Sequence, residues 1–282
     1  MRILELFSGT GSIGRAFEAL GWDVISLDIN PGATITSNIL DWDYKIYEPD
    51  AFDFIWASPP CTEYSIARTT ARTPRDFVGA DANVSKALEI IEYFEPLLWL
   101  MENPQTGHLK HRAIMADIPF QDVTYCKYGF PYKKQTRLWG SFPFALRPVC
   151  CAADPCQHME GGKHLATAQR GSGWDLRELY RIPPELCDEI ATIATSWTRK
   201  MVDCILALAQ LAIAAFVGWR AAHCKFECDL DSPMPLWQRV VRVVTGQINR
   251  YDPPSRGRRP LHGVGGETDA RAAAHVLPFW QR

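Results

Sequence analysis

The first thirty residues carry the feature that most limits the fold: a strand pattern, a glycine turn, a helix pattern and a second strand pattern. Arg2 to Phe7 is a short apolar run, and Ile13 to Leu20 has helical spacing that ends at Gly21. Val24 to Leu27 is a second apolar run, followed by Asp28. Two strands joined by a helix in this way pack in parallel. The sequence therefore predicts a βαβ unit at its start.

The same alternation continues through the first half of the chain. Further strand patterns end near Ile39 and cover Phe52 to Ala57 and Leu97 to Met101, and a helix pattern covers Val84 to Phe94. We therefore expect an α/β fold, with a mostly parallel sheet covered by helices on both faces. Ligands of such sheets bind beyond the carboxyl ends of strands, so polar residues that follow strands are the candidate site.

Composition narrows the class of protein only moderately. The chain has 282 residues, 47% of them apolar, which is enough for one sizeable core. A net charge of −2 does not by itself favour a nucleic-acid partner. The nine cysteines are an odd number and no secretory signal is recognisable, so we expect a cytoplasmic, reducing environment with cysteines free, catalytic or metal-bound.

Residues Met201 to Trp219 are mostly apolar and nearly long enough to span a bilayer. Asp203 and Gln210 interrupt the run, and alanine dominates it. These features favour a buried or packing helix over a membrane span, and we expect no membrane partner. A disordered tail is the third interpretation.

The glycine turn after the first strand is a candidate cofactor site. Glycine lets the backbone approach a ligand, and a helix start offers unpaired N–H donors. Asp28 ends the next strand, where a carboxylate can bind ribose hydroxyls, and Asp41 could accept from an adenine amino group. The spacing alone does not separate nicotinamide cofactors from S-adenosylmethionine, or either from an ordinary turn. The turn consists of Phe7, Ser8, Gly9, Thr10 and Gly11.

Two further strand ends carry reactive groups. Residues 53–61 run from a strand through two prolines to Cys61, a rigid mount that favours a nucleophilic thiol over a packing cysteine. Glu102 and Asn103 follow the apolar run Leu97 to Met101. A buried carboxyl there can stay protonated and donate a proton, although a surface glutamate is the alternative.

Basic residues follow in a group that contains tyrosines. Arg137 could bind a carbonyl oxygen or a phosphate. Phosphate contact is one interpretation of the others, and a solvated face is the alternative. The other candidates for nucleic-acid contact are Arg112, Lys133, Lys134 and Gln135.

Taken together, these motifs resemble the cytosine-C5 DNA methyltransferase family over about residues 1–196. Phe7 to Gly11 is similar to its cofactor motif, Pro60-Cys61 to its proline-cysteine motif, and Glu102-Asn103 to its glutamate-asparagine motif. Gln135 to Arg137 is similar to its arginine motif, and Arg177 to Glu185 to its closing motifs.

The resemblance implies a Rossmann-like fold that binds S-adenosylmethionine, with Ile29 and Pro59 also at the cofactor. It implies that Cys61 attacks carbon 6 of a cytosine flipped out of double-stranded DNA. Glu102 would then hold or protonate ring nitrogen 3, and Arg137 would bind the carbonyl oxygen at carbon 2.

The largest departure from the family is a short target-recognition region, because few residues separate Arg137 from the closing motifs. Residues 141–173 would have to read the DNA. This segment has few apolar residues, and zinc is one means of organising it, although the spacing matches no standard finger. The weak candidate ligands are Cys150, Cys151, Cys156, His158 and His164.

The expected organisation is a catalytic and cofactor-binding domain at 1–140, the recognition segment at 141–173, closing motifs at 174–199 and an extension of unknown role at 200–282. A monomer is the default. The same chemistry on a transfer RNA, transfer of a different group from a modified donor, and a catalytically silent nucleic-acid-binding relative stay open as alternatives.

Overall fold

The computed structural model of the protein describes residues 1–68, 71–141, 144–168 and 173–222. Its centre is a seven-stranded sheet in the order β3-β2-β1-β4-β5-β7-β6. The strands are β1 Arg2–Leu6, β2 Asp23–Asp28, β3 Ile35–Thr36, β4 Phe54–Ala57, β5 Leu98–Pro104, β6 Phe120–Thr124 and β7 Gln135–Gly140.

Strands β1 to β5 pair in parallel, and β7 runs antiparallel between β5 and β6. All four residues of β4 and the first six of β5 are buried. Burial on both faces is what a central parallel strand requires, and it explains the continuous apolar runs in the sequence. The third strand is Ile35–Thr36 instead of ending near Ile39, which is a buried core residue after the strand.

Helices cover both faces of the sheet, as predicted. On one face α1 (Ser12–Ala19) packs with the first turns of α4 (Pro184–Ala222) through residues such as Phe17 and Leu186. On the other face lies α2 (Phe77–Phe94), which buries residues three or four apart such as Val84, Ala87 and Ile91. The short α3 (Leu176–Tyr180) and one-turn helices at Tyr44–Ile46, Leu109–His111, Ala113–Met115 and Tyr125–Tyr128 complete the helical elements.

Capping sets where two of these helices begin. Asp76 accepts a 2.9 Å hydrogen bond from the Gly79 N–H, which starts α2 about two turns earlier than apolar spacing predicts. Asp175 and Glu178 form a reciprocal capping box at the start of α3. Residues 144–168 contain only one small hairpin, β8 (Met159–Glu160) with β9 (Lys163–His164).

The chain divides into two compact units, residues 1–201 and 202–282. The described part of the second unit, 202–222, is the C-terminal stretch of α4. The predicted helix is therefore confirmed. One face of this stretch is covered, with Ala209 buried and Ile205 half-buried, whereas Leu208, Leu211 and Phe216 are each more than half exposed. None of the described helices combines the length and apolar character needed to cross a bilayer. Residues 223–282 of the predicted extension lie outside the described residues.

Candidate functional site

The turn after β1 has the backbone shape of a ligand-binding loop. Phe7, Gly9 and Gly11 have φ angles of 57°, 49° and 64°, all left-handed. Phe7 is not a glycine, so its conformation is costly and must be held by its surroundings. The Gly9 N–H donates a 2.8 Å hydrogen bond to the Asp28 carboxylate, which ties the turn to the end of β2.

A buried carboxyl lies beneath this turn. Glu5 on β1 is 3% exposed and accepts hydrogen bonds from the backbone N–H groups of Ile13 and Gly14 at the start of α1. Burial raises its pKa to about 7. A Cβ atom at Gly14 would lie 2.6 Å from the Glu5 carboxylate, so this glycine makes room for the contact. Sequence reasoning missed Glu5, although an acidic residue inside an apolar strand run was the available signal.

The turn and β2 together can hold a nucleoside. Ile29, directly after Asp28, exposes 68% of its surface, which is unusual for a large apolar side chain and suits contact with a flat base. Asp28 also accepts from the Asn30 backbone and amide at 2.8 and 2.9 Å. Asp41 is exposed after β3. The helix α1 has no side-chain cap, and the N–H groups of Ile13 and Gly14 in its first turn donate to the Glu5 carboxyl instead.

The end of β4 carries Cys61 on a tightly held loop. Its carbonyl accepts hydrogen bonds from the N–H groups of Tyr64 and Ser65, at 3.0 and 2.8 Å. Asn103, at the end of β5, donates a buried 2.8 Å hydrogen bond from its side chain to the Pro59 carbonyl. Two neighbouring parallel strands thus fix the position of the thiol.

Glu102 lies next to Cys61 and is almost fully buried, with 8% exposure. Its pKa is raised by burial, and it accepts a 3.3 Å hydrogen bond from the Tyr125 hydroxyl. Burial and the neighbouring Glu102 also raise the pKa of the Cys61 thiol. Both groups are therefore held toward their protonated forms in the absence of ligands.

Lys134 is the cation that opposes these shifts. Its charge lowers the pKa of both Cys61 and Glu102 against the effect of burial. Its Nζ lies 4.7 Å from the centre of the Tyr125 ring and donates a 3.1 Å hydrogen bond to the Leu179 carbonyl. The sequence predicted Lys134 only as a nucleic-acid contact.

Arg137 lies on the other face of the sheet from Glu102. In the β5–β7 pairing Glu102 is opposite Leu138, whereas Arg137 is opposite Asn103. Directly paired residues share a face and adjacent ones alternate, so the Arg137 side chain points away from Glu102. The guanidinium instead forms a bidentate pair with Asp122, at 2.7 and 2.9 Å, and stacks 3.5 Å from the centre of the Phe120 ring.

The other basic candidates occupy different surroundings. Arg112 pairs with Asp81 on α2 at 2.9 Å. Lys133 is exposed and donates a 3.0 Å hydrogen bond to the Cys150 carbonyl, and Gln135 begins β7. Of the predicted nucleic-acid contacts, Lys134 therefore lies close to Cys61, whereas Arg112, Lys133 and Gln135 make their contacts elsewhere.

Four side chains of types that can bind a metal meet at the turn Tyr125–Tyr128. The sulfur atoms of Cys126, Cys150 and Cys156 and a ring nitrogen of His164 all lie within 4.8 Å of one another. Three of them were predicted candidates; Cys126 was missed because it lies outside the cysteine-rich segment. Of the remaining candidates, Cys151 is exposed, and His158 Nε2 lies 3.3 Å from the Gln157 amide.

Comparison with known proteins identifies the family of this chain. Residues 1–115 match the model of the C-5 cytosine-specific DNA methylase family. The Frog virus 3 (isolate Goorha) protein named "Probable DNA (cytosine-5)-methyltransferase" is 32% identical over 213 residues, which cover 67% of this chain and 98% of that protein.

Solved structures with similarity include a Spodoptera frugiperda DNMT2 mutant, 18% identical, which covers 54% of this chain and 56% of its own at a TM-score of 0.37. Entamoeba histolytica EhMeth is 15% identical, with coverage of 53% and 56% and a TM-score of 0.39. The predicted Rossmann-like methyltransferase fold is confirmed by the sheet and the family match. The chain belongs to the C-5 cytosine-specific DNA methylase family.

Proposed function

We propose that the protein transfers a methyl group from S-adenosylmethionine to carbon 5 of cytosine in double-stranded DNA. The observation that carries the proposal is the placement of the Cys61 thiol beside the buried Glu102 carboxyl, at adjoining ends of β4 and β5. Carbon 5 of cytosine is a poor nucleophile, and addition of a thiolate to carbon 6 is the chemistry that activates it.

The turn at residues 7–11 and the end of β2 fit the methyl donor. Asp28 would accept from the ribose hydroxyls, Ile29 would pack against the adenine, and Asp41 would accept from its amino group. Pro59 would border the same pocket. The donor supplies an electrophilic methyl group on a sulfonium sulfur.

The remaining steps are addition to the ring, proton transfer and elimination, and they involve Cys61, Glu102 and solvent. The Cys61 thiol releases its proton to solvent, and the thiolate sulfur forms a bond to carbon 6 as the double bond between carbons 5 and 6 opens. Glu102, held protonated by burial, donates its proton toward ring nitrogen 3, so that carbon 5 becomes electron-rich. After methylation, solvent takes up the carbon 5 proton and the carbon–sulfur bond breaks, so that the double bond between carbons 5 and 6 forms again and Cys61 leaves as a thiolate. Ring nitrogen 3 returns its proton to Glu102.

Lys134 is the better candidate to contact the carbonyl oxygen at carbon 2. It shares the surroundings of Cys61, Glu102 and Tyr125, whereas Arg137 is paired with Asp122 on the opposite face. A cation in this position also favours the thiolate needed for attack. We therefore assign the carbonyl contact to Lys134 and a supporting role in the sheet to Arg137.

Cytosine carbons 5 and 6 are stacked inside a duplex, so the target base must leave the helix to reach Cys61. With few residues between β7 and the closing helices, recognition would fall to the segment 141–173. Lys133 and Gln135 lie beside this segment and stay candidates for nucleic-acid contact. Arg112, which is paired with Asp81, stays a candidate as well. A cytoplasmic location and a monomeric state remain predictions.

Trapping on 5-fluorocytosine tests the proposal, because fluorine cannot leave as a proton does. Purified protein, S-adenosylmethionine and duplex DNA containing 5-fluorocytosine should give a covalent complex that survives denaturing electrophoresis. Cys61→Ser should abolish the complex, and Cys204→Ser, which changes an exposed thiol on α4, should leave it intact. Equal trapping by Cys61→Ser would contradict the nucleophile assignment.

Substrate class needs a parallel assay. Radiolabelled methyl incorporation should favour duplex DNA over transfer RNA, and mass spectrometry of the product base should find 5-methylcytosine. Preferential methylation of transfer RNA would show that RNA is the substrate. A product base heavier than 5-methylcytosine would show that a modified donor transfers a different group. Absence of incorporation and trapping with every substrate would favour a silent relative.

A further inference from the structure

We propose that Cys126, Cys150, Cys156 and His164 bind a structural zinc ion. The site joins two parts of the chain. Cys126 lies in the turn Tyr125–Tyr128 directly after β6, and the other three come from the irregular segment that follows β7. The three cysteines are almost fully buried and His164 is half-buried.

The distances suit tetrahedral coordination. Zinc bonds of about 2.3 Å to sulfur and about 2.0–2.1 Å to nitrogen at tetrahedral angles place two sulfurs about 3.8 Å apart, and a sulfur and a nitrogen about 3.6 Å apart. Here Cys150 Sγ lies 3.6 Å from His164 Nε2, and no two of the four ligand atoms are more than 4.8 Å apart. The described cysteines are free thiols, so no disulfide competes for these sulfurs.

Packing of apolar thiols is the alternative explanation, and the composition of the cluster argues against it. The buried residues of this cluster are three cysteines, with partly buried Met159 against them. Residues 150–164 form one hairpin of two-residue strands, and the buried cluster beneath them has no branched or aromatic side chain, so it buries too little apolar surface to fix this stretch. Metal coordination supplies the missing stabilisation, as it does in other small cysteine-rich modules.

The ligand set indicates which metal binds and what it does. Three thiolates and one imidazole are soft donors that favour zinc over magnesium or calcium. Four protein ligands close a tetrahedral site, so the ion would be structural and would not activate water. Binding releases the three thiol protons to solvent. The ion would anchor residues 150–164 to the turn that carries Tyr125, the hydrogen-bond partner of Glu102.

Metal analysis of the full-length protein tests the site. Wild-type protein purified with zinc in the medium should contain about one zinc per chain by inductively coupled plasma mass spectrometry. Cys126→Ser and Cys156→Ser should each lose most of the metal. Cys151→Ser is the matched control: it removes a neighbouring but exposed thiol and should keep the full content.

The absorption spectrum of the cobalt-substituted protein distinguishes loss of a metal ligand from misfolding of the variant. Cobalt-loaded wild type should show thiolate-to-cobalt charge-transfer bands and intense tetrahedral d–d bands. In His164→Cys, which keeps four ligands, the bands should shift but persist, and in Cys126→Ser they should weaken strongly. Zinc-free wild type that cannot be loaded, or equal metal content in Cys126→Ser and Cys151→Ser, would overturn the proposal. Neither result would bear on the role of Cys61.

Discussion

Asn103 donates a buried 2.8 Å hydrogen bond to the carbonyl of Pro59, so the strand that presents the acid also holds the loop that presents the thiol. The bond crosses from the end of β5 to the end of β4. The asparagine after the glutamate is thus a positioning residue. Its own amide oxygen is buried without a hydrogen-bond partner among the described residues, so nothing else holds this side chain as firmly.

Asn103→Ala should therefore impair both folding stability and methyl transfer. Loss of the donor leaves the Pro59 carbonyl unsatisfied, which costs about 1–3 kcal/mol of unfolding free energy. Denaturant titration and the rate of trapping on 5-fluorocytosine DNA measure the two effects. Asn83→Ala removes a comparable side-chain bond within α2, at 3.2 Å, and should not slow trapping after correction for stability.

Lys134→Met should lower the methylation rate about 10²–10³-fold, the loss typical of one electrostatic contact to the developing charge. Because Lys134 lowers the pKa of Cys61, its removal should also shift the pH–rate profile toward higher pH. Lys86→Met is the control, since its ammonium pairs with Glu89 on α2 and not with the reacting groups. An unshifted profile in Lys134→Met would argue against contact with the reacting groups.

Arg137→Met should behave differently. The substitution leaves Asp122 without its partner and should lower stability by about 1–3 kcal/mol, with little change in the pH–rate profile. Thermal denaturation and single-turnover methylation measure the two effects. If a stably folded Arg137→Met variant methylates DNA much more slowly, then Arg137, and not Lys134, contacts the carbonyl oxygen at carbon 2.

Glu102→Gln should fold normally and react slowly. Glutamine has the shape of the protonated acid that burial favours at this position, but it cannot give up a proton. The expected loss in methylation rate is about 10²–10⁴-fold. Circular dichroism and S-adenosylmethionine affinity should match the wild type, and an unchanged rate would show that Glu102 is not the proton donor.

Glu5 should make stability fall as pH rises. Its pKa in the folded protein is about 7, above the ordinary value of 4.5, so between these values the folded state binds more protons than the unfolded state. Full stability is present below pH 4.5 and is lost as pH rises through 7, by about 3 kcal/mol at 1.36 kcal/mol per pKa unit. Glu5→Gln should match the wild type at pH 5 and exceed it at pH 8 in urea denaturation. An identical pH dependence in both proteins would contradict this.

The elements that position the site were largely predictable from sequence, because their signals are local. The glycine turn, the strand before Cys61 and the buried run before Glu102 each lie within about ten consecutive residues. Strand ends of a parallel sheet meet at one edge, so the sequence order of these motifs was enough to group them.

Features that depend on pairing between distant residues were not predictable. The face on which Arg137 lies depends on its register with Asn103, and a shift of one residue would reverse it. Cys126 joins the metal-ligating cluster only because the segment after β7 folds back onto the turn after β6. The exposure of Leu208 and Phe216 was likewise not predictable, because an apolar run does not state which of its side chains the rest of the protein covers.

The position of β7 has a consequence for synthesis on the ribosome. Strands β5 and β6 are made first, yet they are not neighbours; the last strand of the sheet enters between them and pairs with both. Until residue 140 has left the exit tunnel, the edges of β5 and β6 that pair with β7 carry unsatisfied backbone groups. A nascent chain paused before that point would be a natural client for chaperones, and fragments cut short there should aggregate when expressed.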